Sequence, residues 1–232
     1  MIVKVCGMKD PENIKEVAAL EGIDWLGFIF YEKSPRYIGN CKIDILDISR
    51  DKACLVSKTD KHRTSLMPET RQALSLQKIG VFVNATEEQL MDAYNTYTLD
   101  YLQLHGDESP ELCHSLQKRG IHLIKAFSIA SENDLEKTMA YEGRVDYFLF
   151  DTKCDQYGGS GKQFDWSVLT AYTGNTPFLL SGGINPESAE SINNFHHPRF
   201  AGIDLNSGFE IEPGIKDVTS LSHFLSQLNI NN

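Results

Sequence analysis

Short apolar or β-branched runs recur along the chain at residues 2–6, 25–30, 79–83, 101–104, 122–126, 146–150, 177–181 and 200–205. Runs of this length between turn-forming residues predict strands. The intervening stretches 11–20, 86–97, 109–119, 131–141, 164–172, 186–195 and 217–228 carry apolar residues at helical spacing. Several open on Ser, Thr or Pro, which satisfy or dispense with the first free N–H groups of a helix. Eight strands alternating with helices predict a parallel sheet.

A doubly wound open sheet and a closed (β/α)8 barrel both alternate in this way. The barrel fits better, because polar residues suited to chemistry stand at the ends of strands from the first to the last, where barrel sites are built. A chain of 232 residues matches one such domain over 1–232, a barrel of this kind needing about 250. The break in the pattern is 40–77, long and polar around Lys58-Thr59-Asp60-Lys61-His62-Arg63-Thr64. It reads as a longer surface excursion with a helix on either side.

Near the chain end, Ser181-Gly182-Gly183-Ile184-Asn185-Pro186 and Gly202-Ile203-Asp204-Leu205-Asn206-Ser207-Gly208 each place small residues after an apolar run and before a helix-compatible segment. Glycine lets an oxyanion approach the backbone, and a helix N-terminus adds a favourable field. In this order the two form a divided phosphate cup after strands seven and eight of a barrel. Taken singly, each is also an ordinary strand-to-helix turn.

Alternation along the first strand puts Lys4 and Cys6 on one face, and helices covering the outside of a barrel would turn that face inward. Cys6, followed by Gly7, is either a small buried hydrophobe or a base whose ordinary pKa near 8.5 needs little adjustment. Asp151 follows the apolar run Tyr147-Phe148-Leu149-Phe150. It is either a turn cap or a general acid whose pKa an apolar mouth raises. On opposite sides of one pocket, Cys6 and Asp151 would suit a proton shuttle. Arg36 in Ser34-Pro35-Arg36 is a fork for a carboxylate or a solvated loop residue. Gln103 and His105 share a face of strand four, with His105 a ligand or a neighbour of a helix cap. Asp204 and Asn206 face inward on strand eight, beside strand one, where Lys4 would neutralise Asp204 in a structural ion pair. Gly158-Gly159-Ser160-Gly161-Lys162 has the wrong spacing for a nucleotide loop and reads as a lid or a flexible turn.

Composition narrows the partners. With 41% hydrophobic and 23% charged residues, and no run near the roughly 20 apolar residues of a membrane span, the chain reads as soluble. A formal net charge of −10 without a basic patch argues against nucleic acid. An anionic ligand would be attracted locally, by helix termini and a few placed cations. Five cysteines, widely spaced and without a C-x-x-C pair, argue against a disulfide framework or a zinc site. The N-terminus reads as a strand rather than a signal peptide, which points to the cytoplasm.

With these residues in hand, nearly the whole chain resembles the phosphoribosylanthranilate isomerase family. The likeness rests on Lys4-Val5-Cys6-Gly7, Gly27-Phe28, Ser34-Pro35-Arg36, Gly80-Val81-Phe82-Val83-Asn84, Gln103-Leu104-His105-Gly106-Asp107-Glu108, Asp151, Gly158-Gly159-Ser160-Gly161, Ser181-Gly182-Gly183 and the segment Asp204 to Glu210. It implies an Amadori rearrangement of a phosphosugar in tryptophan biosynthesis, with Cys6 as general base and Asp151 as general acid. Arg36 would clamp the anthranilate carboxylate, Gln103, His105 and Asp204 would contact substrate, and Gly182, Gly183, Asn206 and Ser207 would surround the phosphate. The rearrangement is neither redox nor hydrolytic, so the resemblance implies no metal or other cofactor. Two other readings stand beside it: the histidine-pathway isomerase of a different aminoaldose phosphate, and a non-catalytic phosphosugar-binding barrel. A free-standing enzyme is expected, as a monomer, with a homodimer the alternative.

Overall fold

The computed structural model describes residues 1–39, 76–152 and 166–229. Eight parallel strands close into a barrel in chain order: β1 (Ile2–Val5), β2 (Trp25–Ile29), β3 (Gln77–Phe82), β4 (Tyr101–Leu104), β5 (His122–Ile129), β6 (Tyr147–Thr152), β7 (Phe178–Ser181) and β8 (Phe200–Leu205). Closure is made by β1 on β8, where Ile2 lies opposite Gly202 and Lys4 opposite Asp204. All eight expected strands are present, within a few residues of the boundaries read from the apolar runs. Most of the 40–77 excursion and the Gly158–Lys162 loop lie outside the described residues; Gln77, at its end, already belongs to β3.

Helices α1 (Pro11–Ala18), α2 (Glu87–Tyr97), α3 (Pro110–Lys118), α4 (Ala189–Asn193) and α5 (Val218–Gln227) cover the outside. Asp10, Thr86, Ser109 and Asp217 cap four of them, each side chain accepting from the backbone N–H three residues on. Two expected α-helices are instead 3-10 helices, at Glu132–Tyr141 and Trp166–Ala171. Within them the Thr138 hydroxyl donates to Leu135 O and Thr170 to Ser167 O, both at 2.6 Å. Such i to i−3 back-bonding competes with the α ladder and favours the tighter turn.

The barrel interior follows from strand alternation. Trp25, Ile79, Ile124, Ala126, Leu149 and Leu179 form an inner cluster, with Ile2, Tyr101 and Tyr147 packed against it. The rings of Trp25 and Tyr101 stack 5.0 Å apart, so aromatic side chains plug the amino end of the barrel. The opposite strand faces, with Phe28, Phe148, Phe150, Phe178 and Ile203, form the larger core under the helices. Three aspartates at the amino end repeat one device. Asp24, Asp100 and Asp146 each accept the backbone N–H of a residue in the preceding strand: Val3, Lys78 and Leu123. With the amino end plugged and pinned, the carboxyl end is left as the open mouth.

Candidate active site

Below the mouth, β1 and β8 supply a buried pair of opposite charges. Lys4 Nζ donates to Asp204 Oδ1 at 2.9 Å with both side chains buried, the ion pair expected from their adjacency. Burial pulls the Lys4 ammonium down, but the charges of Asp204 and Cys6 leave its pKa raised. Ser181 on β7 reaches the other carboxylate oxygen at 3.5 Å.

Cys6 follows β1, with its N–H on Leu205 O and only 3% of its surface exposed. Room for the thiol is made by Gly27, where a Cβ would lie 2.7 Å from Cys6 Sγ. Burial pushes the Cys6 thiol up and Asp204 adds to that, while Lys4 and Lys216 pull it down; the net is raised. The expectation that this thiol needs little adjustment is therefore corrected: removed from water, its anion depends on the two ammonium groups beside it.

Lys216 was not legible as a site residue. A two-stranded ribbon, β9 (Glu210–Glu212) and β10 (Ile215–Lys216), follows β8 and turns at Pro213-Gly214, with Gly214 at φ +92°. Proline followed by a positive-φ glycine is the signal that could have revealed it. Asn13 holds the ribbon by bonding both Lys216 O and Lys216 N. Lys216 Nζ then donates to Asn206 Oδ1 at 2.8 Å and Glu210 Oε1 at 2.7 Å. Burial lowers the Lys216 pKa despite that pairing.

Arg36 joins the same network. Its Nε donates to both Glu210 oxygens, at 2.8 and 2.9 Å, and its Nη2 donates to Oε2. Although burial opposes the charge of Glu210, its bonds to Arg36, Lys216 and Gly214 N–H hold its carboxyl below the usual range. Gly7, at φ +73°, packs so closely that a Cβ there would lie 2.7 Å from both Arg36 Cδ and Asn206 Oδ1. Cys6, Arg36, Asp204 and Asn206 are thus brought together, through Lys4, Glu210 and Lys216.

The two glycine loops also meet. Gly182 and Gly183 adopt φ of +84° and +68°, and a Cβ on Gly208 would come 2.2 Å from Ile184 O. Ser207 opens a single 3-10 turn, Ser207–Phe209, and the first loop enters the turn Pro186–Ser188 before the short α4. The helix expected over 186–195 is shortened to the 3-10 turn Pro186–Ser188 and α4, and the one expected over 217–228 is present as α5 but begins beyond the β9–β10 ribbon, so the N–H groups nearest the cup belong to loops and single turns.

Across the mouth stand β4 and β6. Asp151, with 34% of its side chain exposed, faces His105 Nε2 at 3.8 Å from Oδ2. His105 Nδ1 is bonded to Gln103 Nε2 at 2.9 Å, and among the described residues Gln103 Oε1 has no partner although Gln103 is only 1% exposed. The His105 loop is clamped from outside the barrel. Lys125 Nζ donates to Leu104 O at 3.2 Å and Gly106 O at 2.6 Å, the carbonyls on either side of His105, and to Glu108 Oε2 at 3.1 Å. Glu108 in turn accepts from Gly106 N and Asn84 N. This buried Lys125–Glu108 pair also escaped sequence reading, since a lysine inside a strand gives no sign of the loop it will hold.

Comparison with known proteins adds an independent line. Residues 54–227 match the family model described as N-(5′phosphoribosyl)anthranilate (PRA) isomerase. An N-(5′-phosphoribosyl)anthranilate isomerase of Parabacteroides distasonis is 60% identical over 228 residues, covering 98% of this chain and 93% of that protein. A crystal structure of phosphoribosyl anthranilate isomerase from Thermotoga maritima is similar at a TM-score of 0.72 and 35% identity, with 98% of each chain covered. Another, of phosphoribosyl anthranilate isomerase in complex with reduced 1-(o-carboxyphenylamino)-1-deoxyribulose 5-phosphate, gives a TM-score of 0.70 at 32% identity, again over 98% of each chain.

Proposed function

The chain belongs to the N-(5′-phosphoribosyl)anthranilate isomerase family, and from that premise we propose how its residues divide the work. The enzyme converts N-(5-phosphoribosyl)anthranilate to 1-(2-carboxyphenylamino)-1-deoxyribulose 5-phosphate, an Amadori rearrangement in tryptophan biosynthesis. The histidine-pathway and non-catalytic readings fall away.

Asp151 is the general acid. Its proton passes to the furanose ring oxygen as the C1′–O bond breaks, and the anthranilate nitrogen lone pair forms the C1′=N bond of a Schiff base. Cys6 thiolate then removes the C2′ proton, and those electrons neutralise the iminium to give an enolamine. Loss of the C2′ hydroxyl proton and gain of one at C1′ yield the ketone, so nothing is oxidised or reduced overall. Lys4 and Lys216 favour the thiolate by charge, and Gly27 leaves space for it.

Arg36, oriented by Glu210, meets the anthranilate carboxylate. Gly182, Gly183, Asn206 and Ser207 surround the phosphate, with Lys216 adding charge through Asn206. Gln103, His105 and Asp204 form the wall and floor beside the ribose. The enzyme works as a cytoplasmic monomer; no helix among the described residues is long and apolar enough to cross a membrane.

The observation that carries this reading is the pairing of a thiol at the end of β1 with a carboxyl near the end of β6, with the touching loops of β7 and β8 between them. Its test is the loss of anthranilate fluorescence when the protein meets freshly generated substrate. Cys6→Ala should lower kcat by about 10²- to 10⁴-fold with little change in KM. Turnover by Cys6→Ala at the wild-type rate would remove Cys6 from its role.

A further inference from the structure

We propose that His105 is a positioning residue for Asp151: Gln103 fixes it as the Nε2–H tautomer, so that it donates to Asp151 Oδ2 and leaves the other oxygen to carry the proton that is transferred. This rests on the reading of Asp151 as general acid. Three observations converge on it, beginning with the amide.

Gln103 turns its Nε2, which can only donate, toward His105 Nδ1 at 2.9 Å. Nδ1 must then accept, and the ring proton sits on Nε2, the nitrogen that faces Asp151 Oδ2 at 3.8 Å. The opposite amide orientation would place the proton on Nδ1 and make Nε2 an acceptor, which would bind the transferable Asp151 proton itself instead of leaving it for the ring oxygen. The orientation present leaves Gln103 Oε1 buried with no partner among the described residues, a penalty the fold accepts at this position.

The second observation is the clamp. Lys125 binds the carbonyls on both sides of His105, and Glu108 binds the following N–H, all from the outer face of the sheet. The imidazole is therefore carried by a loop whose backbone is tied down, as a group must be if it is to aim another. The third is the gap itself. At 3.8 Å the contact is longer than a hydrogen bond, yet both side chains are one-third exposed and can close when substrate fills the mouth.

The chemical consequence concerns charge. While Asp151 is protonated, His105 Nε2–H meets a carbonyl oxygen. As the proton leaves for the ring oxygen, that oxygen becomes part of an anion and the same hydrogen bond strengthens. The gain falls in the transition state, so it should raise kcat rather than substrate affinity.

The test is a double-mutant cycle read as kcat and KM, on folded variants checked by circular dichroism. His105→Ala should lower kcat by about 10²-fold with KM within about threefold of wild type. His105→Gln, which keeps a neutral N–H donor, should recover most of that loss. In an Asp151→Asn background, His105→Ala should cost nothing further, because His105 acts through the missing acid. Additive losses, or a His105→Ala effect confined to KM, would overturn the inference and return His105 to plain substrate contact. An Asp151→Asn enzyme with normal kcat would instead overturn the underlying assignment of the acid. Ring ¹⁵N shifts of His105 give a readout without turnover: the Nε2–H tautomer in wild type and a mixture in Gln103→Met, whereas an Nδ1–H ring in wild type would refute the relay.

Discussion

A thiol enclosed in a barrel is a poor acid, and the role proposed for Cys6 nevertheless requires its anion. Burial holds its pKa above the ordinary thiol value, against the pull of Lys4 and Lys216. Because alkylation needs the thiolate alone and not the acid, the rate at which iodoacetamide modifies Cys6 in the free enzyme, measured against Cys6→Ala, should still be rising with pH at and beyond 9. Lys216→Met, which removes one of the two cations, should move that limb further upward. A pH–rate profile of the alkylation in both proteins checks this, and a limb complete by neutral pH would contradict it. Cys6, Asp151, Arg36 and the paired glycines stood out in the sequence as candidates at strand ends, each with a structural alternative, and the family resemblance supplied the roles proposed for them. Glu210 and Lys216 could not, because their meaning lies in partners: Arg36 stands 174 residues before Glu210. The shift of the Cys6 thiol was also invisible, since it depends on how completely Gly27 and β8 shut out water.

Among the elements, strands were the more legible because a run of apolar residues reports burial on both faces directly. Helices on the outside were located well but not always by type, as the threonine back-bonds of the two 3-10 segments show. The β9–β10 ribbon escaped because three- and two-residue strands carry no periodicity. Its electrostatics lead to a stability prediction. Glu210 has a folded-state pKa below its ordinary 4.5, despite burial, because Arg36 and Lys216 favour the carboxylate. The stabilisation is complete above 4.5, where the unfolded chain is also ionised, and is lost as pH falls through the folded value. Glu210→Gln should lower stability at neutral pH and flatten its decline below pH 4.5, as measured by denaturant unfolding across that range. An unchanged acid limb would show that the ribbon is held by Asn13 rather than by charge.

For the whole molecule, the barrel separates stability from chemistry along its axis. The aromatic plug and the three aspartate clasps occupy one end, and every proposed site residue lies at or toward the other. The proposed monomer predicts a light-scattering mass near 26.1 kDa; twice that value would establish a dimer. The Lys4–Asp204 pair joins residues 200 positions apart, and a growing polypeptide receives them at very different times. At about 5–20 residues per second, roughly 10–40 s separate the synthesis of the lysine from that of its aspartate. Throughout that interval an inward ammonium has no carboxylate to enter the barrel with, and β1 has no β8 to lie against. The nascent chain can set β1 against β2 early, but the other edge of β1 must wait for β8, so the seam that completes the site is the last that synthesis allows to close.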